Sequence, residues 1–316
     1  MSWGLGIWDL GLGLKRWPVA RARLLVIGFF CANAFPATQL IILGTGTPVA
    51  DPDRSGPAVA VINNDRAYLF DAGPGVVRRA TAASAKHHIP ALETRQLRFA
   101  FLTHLHSDHT LGLPDLIFSP WTLGRKEPLE LFGPPGTKAM AEHIEAAWRE
   151  DIAVRTNGVE RGNRTGHHAN VHEIKPGVIY TDGALKITAF PMVHGAWAHA
   201  FGFRIDTPDR SIVISGDGTP SAALVRAAQG CDILLHEVYS EQALQNGRKD
   251  DPTWAQYLQQ VHTSTAQLAQ IANQTKPKLL VLYHQLFYGA TDADMLEEIH
   301  RTYNGRVASA HDLDIY

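Results

Sequence analysis

The sequence predicts an α/β protein in which strands and helices alternate along one long domain, and three observations lead there. Short apolar runs of strand length recur from Gln39 onward, separated by polar or helical stretches. Several of these runs stop at a polar motif, as where "RFAFLT" meets "HLHSDH"; loops at strand ends can converge while the sheet beneath stays rigid. With 316 residues, 45% hydrophobic and 19% charged, the chain also carries enough apolar material for a sizeable core.

Taken in order, the first segment stands apart. Lys15, Arg16, Arg21 and Arg23 precede the apolar run "LLVIGFFCANA", and Ala32 with Ala34 match the small-residue pattern of a signal-peptidase site. A signal peptide over residues 1–34 is expected, followed by one mature domain over residues 35–316 that is periplasmic or secreted. Without such processing the expected compartment is the cytoplasm. No later stretch approaches the roughly 18 consecutive apolar residues of a membrane span, so no membrane partner is expected.

The mature segment opens with "LIILGTGTP", an apolar run closed by glycine punctuation, followed by the strands "AVAVIN" and "AYLFDAG" around the polar "NNDR". "RFAFLT" is the next strand. The spacing of Met140, Ile144, Ala147 and Trp148 predicts a helix over 134–151 with Thr137 as N-cap. Residues 155–177, rich in Gly, Asn, Arg and His, read as a long surface loop, with Arg155, Arg161 and Arg164 solvated rather than clamping an anion. The second half repeats the alternation. "ALKITAF", "AFGFRID" and "SIVISGD" are strands; then come a helix over 221–230, the strand "CDILLHE", a helix over 263–274, the strand "KLLVLYH", a helix from Thr291 and the strand "RVASA". Trp121, Trp197 and Trp254 fall near expected rim loops.

Charge and cysteine content narrow the chemistry. A formal net charge of −2 leaves no global electrostatic footprint of the kind that neutralises nucleic-acid phosphates, and a nucleic-acid partner is not expected. Two cysteines, Cys31 and Cys231, exclude a disulfide-rich scaffold and a Cys-based zinc cluster. Any metal is therefore held by His and carboxylate.

The stretch "THLHSDHTLG" supplies both. On a tight loop after a strand, His104 and His106 can turn toward one point while Asp108 and His109 turn toward another nearby. Imidazole and carboxylate suit Zn²⁺, Mn²⁺ or Fe²⁺, and one loop thereby serves two metals. Further ligands are expected at other strand ends: His194 follows "AFPMV", Asp217 follows "SIVISG" and His284 follows "LLVLY".

These seven residues resemble the metal-binding pattern of the metallo-β-lactamase superfamily, over nearly all of the mature chain. The resemblance implies an αβ/βα sandwich with two divalent metal ions at one edge, zinc first and Mn or Fe as alternatives. It implies that His104, His106 and His194 hold one metal, that Asp108, His109 and His284 hold the other, and that Asp217 bridges them. "LGTGTP", "FDAGPG" with Asp71, "LLHEVY" with His236 and Glu237, and "HTSTAQLAQIA" from His262 resemble the ribonuclease Z group. The stretches "DPDRSGPA" and "GPGVVRRA" resemble its arylsulfatase-like relatives more closely still. By the ribonuclease Z resemblance, Glu237 and His262 form a proton-donating dyad, Asp108 joins them as a catalytic residue, and Asp71 orients a ligand imidazole.

Two departures bear on substrate. Transfer-RNA-processing members carry a basic arm between the third and fourth metal motifs, whereas here two strands fill the short interval from His194 to Asp217. Their Gly-Asp-Thr is Gly216, Asp217, Gly218 and then Thr219 here. The expected function is thus a dinuclear hydrolase of a small anionic or aryl ester, arylsulfatase-like. A ribonuclease Z-like phosphodiesterase is the alternative, and lactone or β-lactam hydrolysis the third. A non-catalytic scaffold on the same fold would be expected to have lost ligands, and this chain has all seven. Pairing as a homodimer is a further expectation from the resemblance.

Overall fold

The computed structural model describes residues 38–247 and 252–316. The expected signal peptide, and Cys31 within it, lie outside the described residues. Cys231 is buried and free.

Two sheets organise the chain. The first has the order β1 (Gln39–Gly44), β2 (Ala58–Asn63), β3 (Arg66–Phe70), β4 (Phe99–Phe101), β5 (Leu129–Gly133) and β6 (Ala169–Glu173). The second runs from β7 (Gly177–Asp182) through β8 (Leu185–His194), β9 (Trp197–Asp206), β10 (Ser211–Ile214), β11 (Ile233–Tyr239) and β12 (Leu279–Leu286) to β13 (Val307–Ser309). Three strands of the first sheet (β1–β3) and four of the second (β7–β10) make antiparallel meanders and the rest pair in parallel, so connecting helices cover the outer faces.

The alternation of side chains along each strand sorts the core into layers. Leu40, Val61, Phe70 and Phe101 of the first sheet meet Phe203, Ile212, Leu235 and Tyr283 of the second in the central layer. The opposite face of the first sheet packs on α1 (Val76–His87), α3 (Leu113–Thr122) and α4 (Thr137–Ala147), with α5 (Arg149–Asn157) beyond; the one-turn α2 (Ser107–Thr110) lies between β4 and α3 in the chain. The outer face of the second packs on α6 (Ala222–Ala228), α9 (Thr265–Thr275) and α10 (Asp292–His300), while α7 (Glu241–Gly247) and α8 (Pro252–Val261) form a satellite layer. This is the αβ/βα sandwich expected from sequence. Among the described residues, no helix is long and apolar enough to cross a membrane.

Local chemistry explains the helix starts. Ser264 and Thr291 each close a capping box, with Gln267 and Asp294 as the returning side chains, worth about 0.5–2 kcal/mol each. Thr137, expected as an N-cap, is instead the first helical residue behind Gly136, whose φ of 104° suits glycine; its hydroxyl donates to the Pro134 carbonyl at 2.6 Å. Trp148 is 42% exposed rather than part of a buried stripe. The expected loop over 155–177 is only partly a loop. It contains the end of α5 and all of β6, an edge strand whose polar, half-exposed "ANVHE" hides its register.

Candidate metal centre

The expected site residues gather at one edge of the sandwich, each carried there by the end or a bulge of a strand. β4 leads into Thr103, His104 and His106, and α2 then buries Asp108 and His109. β8 ends on His194, while Asp217 follows β10. His284 is the extra residue of a bulge in β12: Glu237 pairs with Tyr283 and Val238 with Gln285. Its φ of 45° turns it out of the ladder, which is how a bulge re-aims a side chain. Gly216 is required just before Asp217, since at φ 61° an added Cβ would lie 2.9 Å from the Thr103 side chain.

Three nitrogens face each other at the first position. His106 Nδ1 lies 2.9 Å from His104 Nε2 and 3.1 Å from His194 Nε2. Their other ring nitrogens are already committed. His194 Nδ1 donates to the Val261 carbonyl at 2.6 Å. His104 Nδ1 meets the Thr103 hydroxyl at 2.9 Å, and that hydroxyl donates to Asp71. These partners leave the Nε2 lone pairs of both rings pointing inward. The indole of Trp197 donates to His106 Nε2 at 2.7 Å; a cation on Nδ1 would place the ring proton on Nε2, so the indole must then turn aside.

The second position is built from Asp108, His109 and His284. His284 Nε2 lies 3.2 Å from Asp108 Oδ2, and His109 Nε2 lies 3.5 Å from the same oxygen. His109 Nδ1 donates to Asp71 at 2.9 Å. Asp71 thus holds both His109 and, through Thr103, His104. Asp217 lies between the positions, its Oδ2 3.5 Å from His109 Nε2 and 3.7 Å from His284 Nε2.

Two observations show that this donor set fits metal cations. His109 Nε2 and Asp217 Oδ1 are buried with no hydrogen-bond partner, a costly state for polar atoms unless a cation completes it. In addition, burial opposes charge on His109, yet Asp217 and Asp71 outweigh it and raise its pKa well above the usual imidazole range. Surroundings acidic enough to hold a proton there suit a metal ion in its place.

His262 and Glu237 stand beside this centre. His262 Nδ1 lies 3.2 Å from Glu237 Oε2, close but not aligned as a hydrogen bond, and 3.9 Å from Asp217 Oδ2. Glu237 is fully buried and fixed, its Oε1 accepting from the Thr263 amide at 3.0 Å and the Gly218 amide at 3.3 Å. Burial lowers the His262 pKa, but Glu237, and Asp217 after it, push it up to about 9. His236 turns away, its Nδ1 bonded to the Glu237 carbonyl.

Of the other residues singled out in the sequence, Trp121 is revised by the geometry. Trp121 is core, 3% exposed, with its indole donating to the Asn163 carbonyl; Trp197 and Trp254 do reach cavities at the metal centre. Arg155 pairs with Asp151 and Glu160, and Arg164 with Asn157. His199 is exposed on β9. A separate trio, Glu145, His167 and His168, also brings ligand atoms within 4.8 Å. Its carboxylate is already engaged by His168 Nδ1 and the Ala169 amide. Sequence reading missed Arg54 and α8, which form walls of the cavity over the centre.

Comparison with known proteins fits this geometry. Residues 66–285 match the model of the beta-lactamase superfamily domain. Ribonuclease Z of Mycobacterium bovis is 32% identical over 295 residues, covering 87% of this chain and 96% of the relative. Ribonuclease Z of Mycobacterium sp. strain KMS is 32% identical over 259 residues, 78% and 84% of the two chains. The fold is shared with human tRNase Z, short form (TM-score 0.64, 22% identity, 88% of this chain and 98% of that one). It is shared also with the metallo-β-lactamase fold protein YhfI of Bacillus subtilis (TM-score 0.68, 16% identity, 89% and 100%).

These relatives correct two expectations, the arylsulfatase-like activity and the absence of a nucleic-acid partner, because the similar curated proteins are ribonucleases. The stretches that suggested a sulfatase have structural work here. The Gly56 amide donates to the Pro74 carbonyl and the Gly73 amide to the Pro57 carbonyl, tying "DPDRSGPA" to "GPGVVRRA". An added Cβ on Gly73 would lie 2.4 Å from Gly56 backbone.

Proposed function

Because the chain belongs to the metallo-β-lactamase superfamily, with ribonucleases Z among its relatives, we propose that it is a metal-dependent hydrolase of RNA phosphodiester bonds. The observation that carries this reading is the convergence of seven His and Asp side chains, with orphaned buried atoms among them, directly beside the His262–Glu237 pair. In this reading His104, His106 and His194 hold one divalent ion, Asp108, His109 and His284 the second, and Asp217 faces both. When bound, the ions supply Lewis-acid polarisation of the phosphoryl group and activation of the attacking water.

The chain's own residues do the rest. Asp71 and the Val261 carbonyl hold three imidazoles in one tautomer and orientation. Glu237, and Asp217 after it, outweigh the cost of burial and push the His262 pKa up to about 9, which favours its proton-donating form. Its Nδ1 faces Glu237, which leaves Nε2 as the donor. As water attacks phosphorus and the P–O bond to the leaving oxygen breaks, the Nε2 proton passes to that oxygen, and the negative charge that would have collected there is neutralised.

A substrate panel on metal-loaded protein tests the assignment. Precursor tRNA, a short oligoribonucleotide and an aryl phosphodiester should be hydrolysed, with aryl sulfate turned over at least ~10²-fold more slowly than the phosphodiester. A preference for the sulfate, or no cleavage of either RNA, contradicts it.

A further inference from the structure

Beside the metal centre lies a cavity of about 610 Å³, reached by His106, Asp108, His262 and His284 on one side. Its far wall is aromatic and comes from two places. α8 supplies Trp254 and Tyr257, whose rings lie 5.3 Å apart at 33°, and the loop after β12 supplies Phe287 and Tyr288. Trp254 is half-buried and Tyr257 46% exposed, so the wall is presented to whatever enters. Arg54, from the loop before β2, is the only Lys or Arg among the described lining residues. It is held in place: its guanidinium lies 4.8 Å over the Phe287 ring, donates to Thr45 Oγ1 at 3.1 Å and stands 3.6 Å from Asp292.

The chain's formal net charge is −2, and among the described residues β8 turns directly into β9, with His194 pairing Trp197 across the hairpin and nothing projecting between them. The cavity itself is where contacts to a substrate can be read. A pocket of this size, with an aromatic wall that carries one preorganised guanidinium at Phe287 and with the reacting groups also in its lining, suits a single unstacked nucleotide. The base has a π-face for the aromatic wall, and its phosphate has a guanidinium partner.

Resting on the RNA-hydrolase reading, we propose that this cavity takes one unpaired nucleotide adjoining the scissile phosphate, its base against Trp254 and Tyr257 and its phosphate toward Arg54. Selection is then for a single-stranded segment at the cleavage point. The base is read by stacking, so every nucleobase is accepted and a helical one, still stacked on its neighbours, is not.

A double-mutant cycle tests this. Metal-loaded wild type and Trp254→Ala are compared on a single-stranded oligoribonucleotide and on versions with an abasic residue on either side of the scissile phosphate. Trp254→Ala should lower kcat/KM on the intact strand by about 5- to 150-fold, the range for one stacked base. At one of the two abasic positions wild type should lose a similar factor, and the substitution should then add little. Tyr257→Ala, at an exposed position, should behave in the same way with metal content and melting temperature unchanged. Losses that multiply at both positions overturn the proposal while leaving the RNA-hydrolase reading standing. Wild type that cleaves no RNA overturns that reading and this inference with it.

Discussion

Replacing Asp217 by Asn is expected to lower RNA cleavage by about 10³-fold or more, and to leave the protein unable to retain both metal ions. Asp217 is 3% exposed, and its Oδ2 lies within 3.9 Å of His109, His284 and His262. Burial raises its carboxyl pKa, but His284 and His109 outweigh this and hold it well below the usual carboxylate range. Its charge therefore serves several buried imidazoles at once. Asparagine keeps the volume and removes the anion, so the loss should exceed the 10²–10³ that a single electrostatic donor supplies. His284→Ala, which touches one position only, should weaken mainly one metal. Metal content by atomic emission, read beside kcat/KM, checks both. An Asp217→Asn protein that keeps two metals and near wild-type turnover removes the bridging role.

His262→Ala should cost about 10²–10⁴-fold on RNA, the range for general acid catalysis, and far less on a nitrophenyl phosphodiester. The reason lies in the leaving group. A ribose alkoxide needs a proton as the P–O bond breaks, whereas a nitrophenolate departs without one. Both metals should be retained, because His262 is outside the proposed ligand sets. Its proximity to Asp217 and His194 makes that test pointed, since the three could themselves hold a cation. Glu237→Gln should give a milder form, as the amide still accepts from Thr263 and Gly218 but no longer stabilises a cationic imidazole. If the loss is uniform across leaving groups with metal content intact, proton donation is not what His262 does. If instead one metal is lost, His262 is a ligand.

Much of this centre was legible because its donors sit where apolar runs end. "RFAFLT" into "HLHSDH", "AFPMV" before His194 and "LLVLY" before His284 carry strand and site in one reading. What escaped has physical reasons. The Val261 carbonyl that holds His194 is backbone and leaves no mark on sequence. The bulge that aims His284 depends on the register between β11 and β12, which neither strand encodes alone. α8 was missed although Asp251 and Pro252 make a helix-start signal before "TWAQYLQQV", because its aromatic residues gain a role only when the helix lies over the centre. Trp121 was placed at the rim although α3 turns it inward, and β6 was read as loop because an edge strand can be polar on both faces. The substrate was misread for a related reason. "DPDRSGPA" and "GPGVVRRA" look like a signature, yet their glycines and prolines let two loops touch, and the first loop lines the cavity with Asp51 and Arg54.

The central claim, that two metal ions and these residues together hydrolyse RNA, is tested most directly by titrating metal-free protein with Zn²⁺ while following cleavage of a precursor tRNA. Activity should be absent in chelator, rise with added metal and reach its plateau at two equivalents per chain. A plateau at one equivalent, or cleavage that persists in chelator, contradicts the account.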